Sequence, residues 1–200
     1  MQDKSQKSYH HGDLRRAVLD TAMDMLVQDG NWQFTLREVA RRAGVSHAAP
    51  YKHFPDKAAL LTELALFGFQ RLHRALNDAV AASDNVIDAE FDAMALAYLT
   101  FGLKNPALYR LMFGAEVAAA TALHLQPRAM GPFDLLLGVL QRGQIAGRVV
   151  DRPIRGLAAA CWAQLHGLTL LELDGLLRPE KVGEGAIDVA LATLRDGLMR

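Results

Sequence analysis

The chain repeats apolar residues at spacings of three and four from about residue 14 to its end, which is the period of amphipathic helices. No Val/Ile/Thr-rich segment alternates with the period of two that a half-buried strand needs, so the pattern predicts an all-α fold. An alanine-rich stretch at 115–125 carries a weaker helical pattern. The predicted helices are 14–28, 36–43, a short helix after residue 46, 58–82, 86–103, 107–113, 129–146, 153–173 and 184–199.

Helix start and stop signals are densest between residues 35 and 61. Thr35 and Glu38 form a capping box ahead of an apolar-periodic run, and Gly44 is suited to the left-handed residue that follows a helix. Ser46 is the predicted cap of a second short helix, in which Pro50 comes early enough to be tolerated, and Asp56 is the predicted cap of a third. Two short helices around a tight turn, followed directly by another helix, are typical of a helix-turn-helix.

The second helix of such a motif presents its leading residues to base edges in the major groove. Here these residues are His47, Ala48 and Ala49, of which the alanines are small enough for close approach, and the cap Ser46 is a DNA-binding candidate with them. Arg37, at the front of the preceding helix, is a further candidate for base contact. Donors suited to phosphate oxygens follow at Tyr51, Lys52, His53 and Lys57. Any one of these residues, taken alone, is equally explained by packing or by solvation.

The motifs AxxAGVS at 40–46, YxHF at 51–54 and KxxLL at 57–61 resemble the DNA-binding domain of the TetR family of bacterial transcriptional regulators. The resemblance implies that Thr35, Tyr51, His53 and Lys57 bind phosphates, and that residues 47–49 face the bases. The sequence departs from the family pattern at Ala48-Ala49-Pro50, which leaves few hydrogen-bonding groups for reading bases. The implied architecture is an N-terminal three-helix helix-turn-helix DNA-binding domain and a C-terminal helical ligand-binding and dimerisation domain.

Composition limits the function classes. The chain has 200 residues, 51% of them hydrophobic, and a formal net charge of zero, so DNA affinity must come from local placement of cations. Residues 1–60 hold 9 Lys/Arg against 7 Asp/Glu. No nucleophile elbow, HExxH or comparable catalytic motif occurs, and the pair His10-His11 lacks the companions of a metal site. We therefore expect no enzyme activity, no cofactor and no metal.

Other signals bear on location and boundaries. Cys161 is the single cysteine, the N-terminus is polar, and no apolar run reaches the ~18 residues of a membrane span, which together favour a cytoplasmic protein. We predict a mobile arm at 1–12, a DNA-binding domain at 13–60 and a ligand-binding and dimerisation domain at 61–200. Helices 129–146 and 153–173 carry apolar residues on more than one side, which predicts a homodimer interface through both.

Aromatic, Met and His residues recur on the helices of the larger domain. They predict either ordinary core or an apolar pocket with a few polar groups. The segment 162–167 resembles the Trp-x-x-x-His-Gly segment of one TetR subgroup. The predicted function is a homodimeric repressor of a pseudo-palindromic operator, released by a small apolar ligand; the alternative is a helical binding module that does not act through DNA. The candidate pocket residues are Phe67, Met94, Tyr98, Phe101, Met112, Phe113, His124, Trp162 and His166.

Overall fold

The computed structural model describes residues 11–118 and 123–200. This part of the chain is all-α, as predicted, with one isolated bridge between Val149 and Met199. The α-helices are α1 (His11–Asp29), α2 (Leu36–Arg42), α3 (Lys57–Ala81), α4 (Ile87–Lys104), α5 (Pro106–Phe113), α6 (Ala115–Ala118), α7 (Pro127–Ile145), α8 (Ile154–Leu173), α9 (Pro179–Val182) and α10 (Ala186–Leu198).

The predicted caps of α2 and α3 are confirmed. The Thr35 amide donates to Glu38 Oε2 over 2.6 Å, and the Glu38 amide donates to Thr35 Oγ1 over 3.2 Å, which completes the capping box. Gly44 follows α2 with φ +69°, a left-handed conformation that favours glycine. Asp56 Oδ1 accepts from the Ala59 amide over 2.8 Å and starts α3. Local sequence therefore fixes both ends of the motif.

The predicted second helix of the motif is wrong in form. No α-helix begins at Ser46; residues 47–49 make a turn, and Pro50–Lys52 form a single 3₁₀ turn. In an α-helix capped at Ser46 its carbonyl would accept the amide of residue 50, but proline has no N–H to donate. The Ser46 carbonyl instead accepts the Ala49 amide over 2.9 Å, which is the tighter 3₁₀ spacing.

Several boundaries also differ from the prediction, three of them in ways that change how a segment is assigned. The arm predicted at 1–12 falls mostly on residues 1–10, outside the described residues, and His11 and Gly12 already belong to α1. The stretch 115–125 contains the short α6 and a 3₁₀ turn at Leu123–Leu125. The helix predicted to begin at residue 184 begins at Ala186 and is preceded by α9, which the sequence pattern did not reveal.

Helix α3 is the central element of the described structure. It packs against α4, α5, α7 and α1, and one continuous cluster of buried apolar side chains extends from Val18 to Leu198. With 25 residues, α3 is about 37 Å long at 1.5 Å per residue. Because α3 begins beside the helix-turn-helix and its middle, as far as Leu76, is buried in the larger unit, it connects the two without a linker.

Candidate nucleic-acid interface and body cavity

The residues predicted to bind DNA surround the turn between α2 and α3. Most of them are exposed, but Ala49 is buried with 7% of its surface accessible, and His53 and Lys57 are half-buried. Ala49 therefore contributes to packing and adds nothing to the exposed surface. The exposed members of the set are Thr35, Arg37, Ser46, His47, Ala48, Tyr51 and Lys52.

Two side chains at this surface are restrained, Lys57 by an aromatic ring and His53 by burial. Lys57 Nζ lies 5.7 Å from the centroid of the Phe34 ring, a cation–π contact that positions the ammonium at the start of α3. His53 Nε2 is buried and has no hydrogen-bond partner among the described residues. Tyr51 keeps 48% of its surface accessible, so its hydroxyl is free to reach a phosphate.

A cavity of about 350 Å³ lies in the larger unit, between α3, α4, α7 and α8. Its walls are mostly apolar. Some lining side chains are also exposed and mark the mouth of the cavity, among them Leu125, Arg155 and Trp162. The lining residues are Phe69, Leu72, Leu76, Met94, Tyr98, Phe113, His124, Leu125, Ala129, Met130, Pro132, Phe133, Leu136, Arg155, Trp162 and Leu165.

The structure brings some of the predicted pocket residues to this cavity and places others elsewhere. Phe67 is 46% exposed, and Phe101 borders a separate groove between α3 and α4. Met112 is fully buried against Gly68. His166 lies behind the cavity wall, where it is hydrogen-bonded to Tyr109. The predicted residues that line the cavity are Met94, Tyr98, Phe113, His124 and Trp162.

The sequence prediction did not include the other lining residues, which are Phe69, Leu72 and Leu76 of α3, Leu125, five residues of α7 including Phe133, and Arg155 and Leu165 of α8. A signal existed for Arg155, because it precedes Trp162 by seven residues and so falls on the same face of α8. No spacing in the sequence marks Phe133, whose ring the structure places edge-on against Trp162 with centroids 6.2 Å apart.

A chain of hydrogen bonds runs from the cavity wall into the interior. The Tyr98 and Tyr109 hydroxyl oxygens are 2.9 Å apart, and the Tyr109 oxygen is 2.7 Å from His166 Nδ1. Burial raises the pKa of Tyr98 well above its usual value and that of Tyr109 to about 12, so both hydroxyls stay protonated. Burial lowers the pKa of His166, which favours a neutral ring. The chain joins α4, α5 and α8.

An ion-pair network connects α1, α3 and α7. Glu63 on α3 lies 2.7 Å from Arg15 Nη2 on α1 and 3.1 Å from Arg128 Nη1 on α7. Burial alone would raise the pKa of Glu63, but the hydrogen bonds from both arginines outweigh it and leave the pKa below its usual value. Ala129 and Met130, the two residues after Arg128, line the cavity. The network thus links the cavity wall to the first helix of the chain.

In the described ranges, no three His, Cys, Asp or Glu side chains are grouped so that they could hold a metal ion. None of the helices in those ranges has the length and apolar character that a membrane span requires.

Helices α1, α2 and α3 form a compact unit in which α2 is capped and a left-handed glycine turn follows it. Exposed donors lie before α3. These features define a helix-turn-helix DNA-binding protein. The model of bacterial regulatory proteins of the tetR family matches residues 18–64, and that of the tetracyclin repressor-like C-terminal domain matches residues 91–194. The chain belongs to the TetR family of DNA-binding regulators, which are not enzymes.

Known proteins resemble the chain over different lengths. A protein of unknown function from Rhodococcus sp. RHA1 is 34% identical and has a TM-score of 0.79, with 98% of this chain and 100% of that one covered. A TetR family transcription regulator from Marinobacter aquaeolei VT8 has a TM-score of 0.68 over 93% of this chain and 95% of that one, and at 20% identity it shows the shared fold.

Curated relatives match over a shorter length. The nucleoid occlusion factor SlmA of Marinomonas sp. (strain MWYL1) is 32% identical over 122 residues, which is 61% of each chain. That of Enterobacter sp. (strain 638) is 33% identical over 101 residues, 50% of each chain. The chain therefore spans about half to three fifths of the length of these relatives.

Proposed function

We infer that this protein is a homodimeric repressor that binds a pseudo-palindromic operator and is released when a small, largely apolar effector enters the body cavity. Residues 13–60 act as the DNA-binding head and residues 61–200 as the body. The observation that carries the proposal is the course of α3. Its first residue, Lys57, belongs to the candidate DNA surface, while Phe69, Leu72 and Leu76 further along it line the cavity.

Effector binding alters DNA affinity only if it favours one arrangement of head and body over another. The Arg15–Glu63–Arg128 network supplies a physical connection, because the first turn of α7 both lines the cavity and holds Glu63. An effector that shifts α7 changes the position of α1 and of the start of α3. A coupling free energy of about 1–3 kcal/mol corresponds to roughly a 5- to 150-fold change in operator affinity.

The outer face of α8 supports a dimer. Gly156 and Gly167 have open space where a Cβ would lie, and Ala159, Ala160 and Ala163 between them are exposed, so a second helix can approach closely. Two-fold symmetry places two heads on the two half-sites of a palindrome.

Helix α7, the other half of the interface expected from sequence, packs against α3, α4 and α8 within the protomer. Its apolar residues Leu136, Val139 and Leu140 are buried there, while Leu135 and Leu137 are half-buried and Ile145 is 82% exposed, so α7 keeps apolar surface that a second chain can cover. Helix α10 lies beside α8, since the Ala190 carbonyl accepts a hydrogen bond from Gln164, and its exposed Val189 adds apolar surface to the proposed interface.

Sedimentation tests the dimer. Ala163→Arg is expected to give a monomer that has lost most of its operator affinity, because a charge replaces a methyl at the centre of the small-residue face. Ala81→Arg makes the same change at an exposed position at the end of α3 and leaves the dimer intact. A wild-type protein that sediments as a monomer at micromolar concentration rules out this architecture.

The proposed DNA contacts are of two kinds, those that position the protein on the phosphate backbone and those that read the bases. Lys57 and Tyr51 are assigned to phosphates, while His47 and Arg37 provide the polar groups for base edges and Ala48 contacts thymine methyl groups. Because Pro50 shortens the reading element to a turn, sequence-dependent DNA shape contributes a larger share of specificity.

Gel-shift titrations at several salt concentrations, on a fragment from upstream of the protein's own gene, test these assignments. Lys57→Gln is expected to weaken binding to all sequences and to reduce the slope of log K against log salt by about 0.9. His47→Ala alters preference among operator variants more than overall affinity. Lys181→Gln removes an exposed cation of the body and serves as the control. Unchanged binding in both head variants would show that the DNA surface lies elsewhere, and no specific binding at all favours a helical module that does not act through DNA.

A further inference from the structure

The cavity carries an uneven distribution of charge. Arg155 is the one formally charged side chain among its described lining residues, and no carboxylate accompanies it there. Arg110, Arg142, Arg148 and Arg195, elsewhere in the body, each pair with an Asp or Glu. Arg71, Arg74 and Arg152 have no ion pair within the described ranges either, but unlike Arg155 they do not line the cavity. Arg155 makes no ion pair or hydrogen bond with any residue in the described ranges. A cation without a partner at the edge of an apolar cavity is a recognition feature for an anion.

The remaining polar groups of the cavity do not compete for that role. Burial lowers the pKa of His124, which favours its neutral form near pH 7. Tyr98 is protonated, and its hydroxyl is already hydrogen-bonded to Tyr109. Positive charge in the cavity is therefore concentrated at Arg155, at the mouth, where a guanidinium can hold a carboxylate through two parallel N–H···O bonds.

Size and shape define the rest of the ligand. At about 30 Å³ for each water-sized group, a cavity of about 350 Å³ holds roughly twelve non-hydrogen atoms. Arg155 and Trp162 both face the cavity and are separated along α8 by seven residues, or about 10 Å at 1.5 Å per residue. A ligand that touches both is elongated, with its anionic end at the mouth and its apolar body among aromatic and aliphatic side chains.

We propose that the effector is an elongated monocarboxylate with an apolar body of about ten carbon atoms, whose carboxylate binds Arg155. This inference rests on the proposed function, since it identifies the chemical class of ligand for the same cavity. The apolar body supplies most of the affinity by leaving water, whereas Arg155 supplies discrimination between the acid and its neutral analogues.

Calorimetric titration of the full chain with decanoate and with decanol tests the proposal, because the two probes differ in the head group. Decanoate is expected to bind the wild type about 2- to 5-fold more tightly than decanol, which is the gain that an ion pair at an exposed arginine provides. Arg155→Gln removes this preference and leaves decanol binding unchanged. Arg152→Gln, an exposed arginine that does not line the cavity, behaves as the wild type.

The possible outcomes separate this inference from the proposed function. Equal binding of the two probes, or a preference for decanoate that persists in Arg155→Gln, overturns the carboxylate assignment and leaves an apolar effector in place. Binding of neither probe overturns both the carboxylate assignment and an effector of this size. Decanoate that binds through Arg155 but leaves operator affinity unchanged supports the ligand class and overturns release by the effector.

Discussion

Replacing Tyr109 by phenylalanine removes a single oxygen atom that joins two hydrogen bonds in the interior of the body. Tyr109 is fully buried, and its hydroxyl contacts Tyr98 at 2.9 Å and His166 at 2.7 Å. The substitution keeps the ring and its edge-on contact with Tyr98, at a centroid separation of 6.0 Å, so the change in stability reports the hydroxyl alone.

The magnitude follows from the groups that lose a partner. We assign Tyr109 as the donor to His166 Nδ1 and Tyr98 as the donor to Tyr109. Without Tyr109 Oη, the proton of Tyr98, a residue only 5% exposed, then has no acceptor, and a buried unsatisfied donor costs about 1–3 kcal/mol. The lost bond to the half-buried His166 adds about 1 kcal/mol. Tyr109→Phe is therefore expected to lower the free energy of unfolding by about 2–4 kcal/mol. Tyr98→Phe removes one bond and strands no buried proton, so it costs about 1 kcal/mol.

Urea denaturation of the two single variants and of the double variant forms a cycle. The double variant is expected to be more stable than additivity predicts by about 1–2 kcal/mol, because Tyr98→Phe removes the hydroxyl that Tyr109→Phe leaves unsatisfied. Protein concentration is held constant throughout, since dimerisation contributes to stability. Equal costs for the two single variants, or additive costs in the double variant, would refute the assignment of the hydrogen-bond chain.

Three further substitutions or conditions address other parts of the fold. Thr35→Ala removes the capping box of α2 and is expected to cost about 1 kcal/mol in urea denaturation; an unchanged midpoint contradicts the cap. Gly102→Ala places a Cβ in steric conflict with Thr169 Cγ2 and costs about 1–2 kcal/mol net, and Thr169→Ser, which deletes that methyl, should rescue it. Burial lowers the pKa of His124 and His166, so below about pH 6.5 the unfolded chain binds more protons than the folded one. The free energy of unfolding should therefore fall from pH 7 to 5.5, and a flat profile contradicts this.

Much of the head was predictable because its determinants are local. The Thr35 capping box, the left-handed Gly44 and the Asp56 cap depend on residues within four positions of one another. The same local chemistry could have corrected the expectation for Ser46. A helix capped there requires an amide at position 50, and Pro50 has none, so the 3₁₀ turn was implicit in the sequence.

The body was predictable as helices but not as a site. Whether a residue lines the cavity depends on how α3, α4, α7 and α8 pack, and helical spacing alone does not determine that. Met112 illustrates the difficulty, because its helix turns it against Gly68, where no side chain fills the space. The spacing of Arg155 and Trp162 places them on one face of α8, but only the packing of the neighbouring helices shows that this face borders a cavity.

The uninterrupted course of α3 limits how this regulator can be recombined with others. A cut at residue 60 would fall in the first turn of α3 and would expose Leu60, Leu61 and Leu64, all buried in the intact chain. A chimera that takes its head from another regulator must also keep the pairing of Glu63 with Arg15 and Arg128. The unit that can be exchanged is therefore the head together with α3 and the surface of α7 that α3 contacts. A head grafted at the apparent domain boundary should bind DNA without responding to the effector.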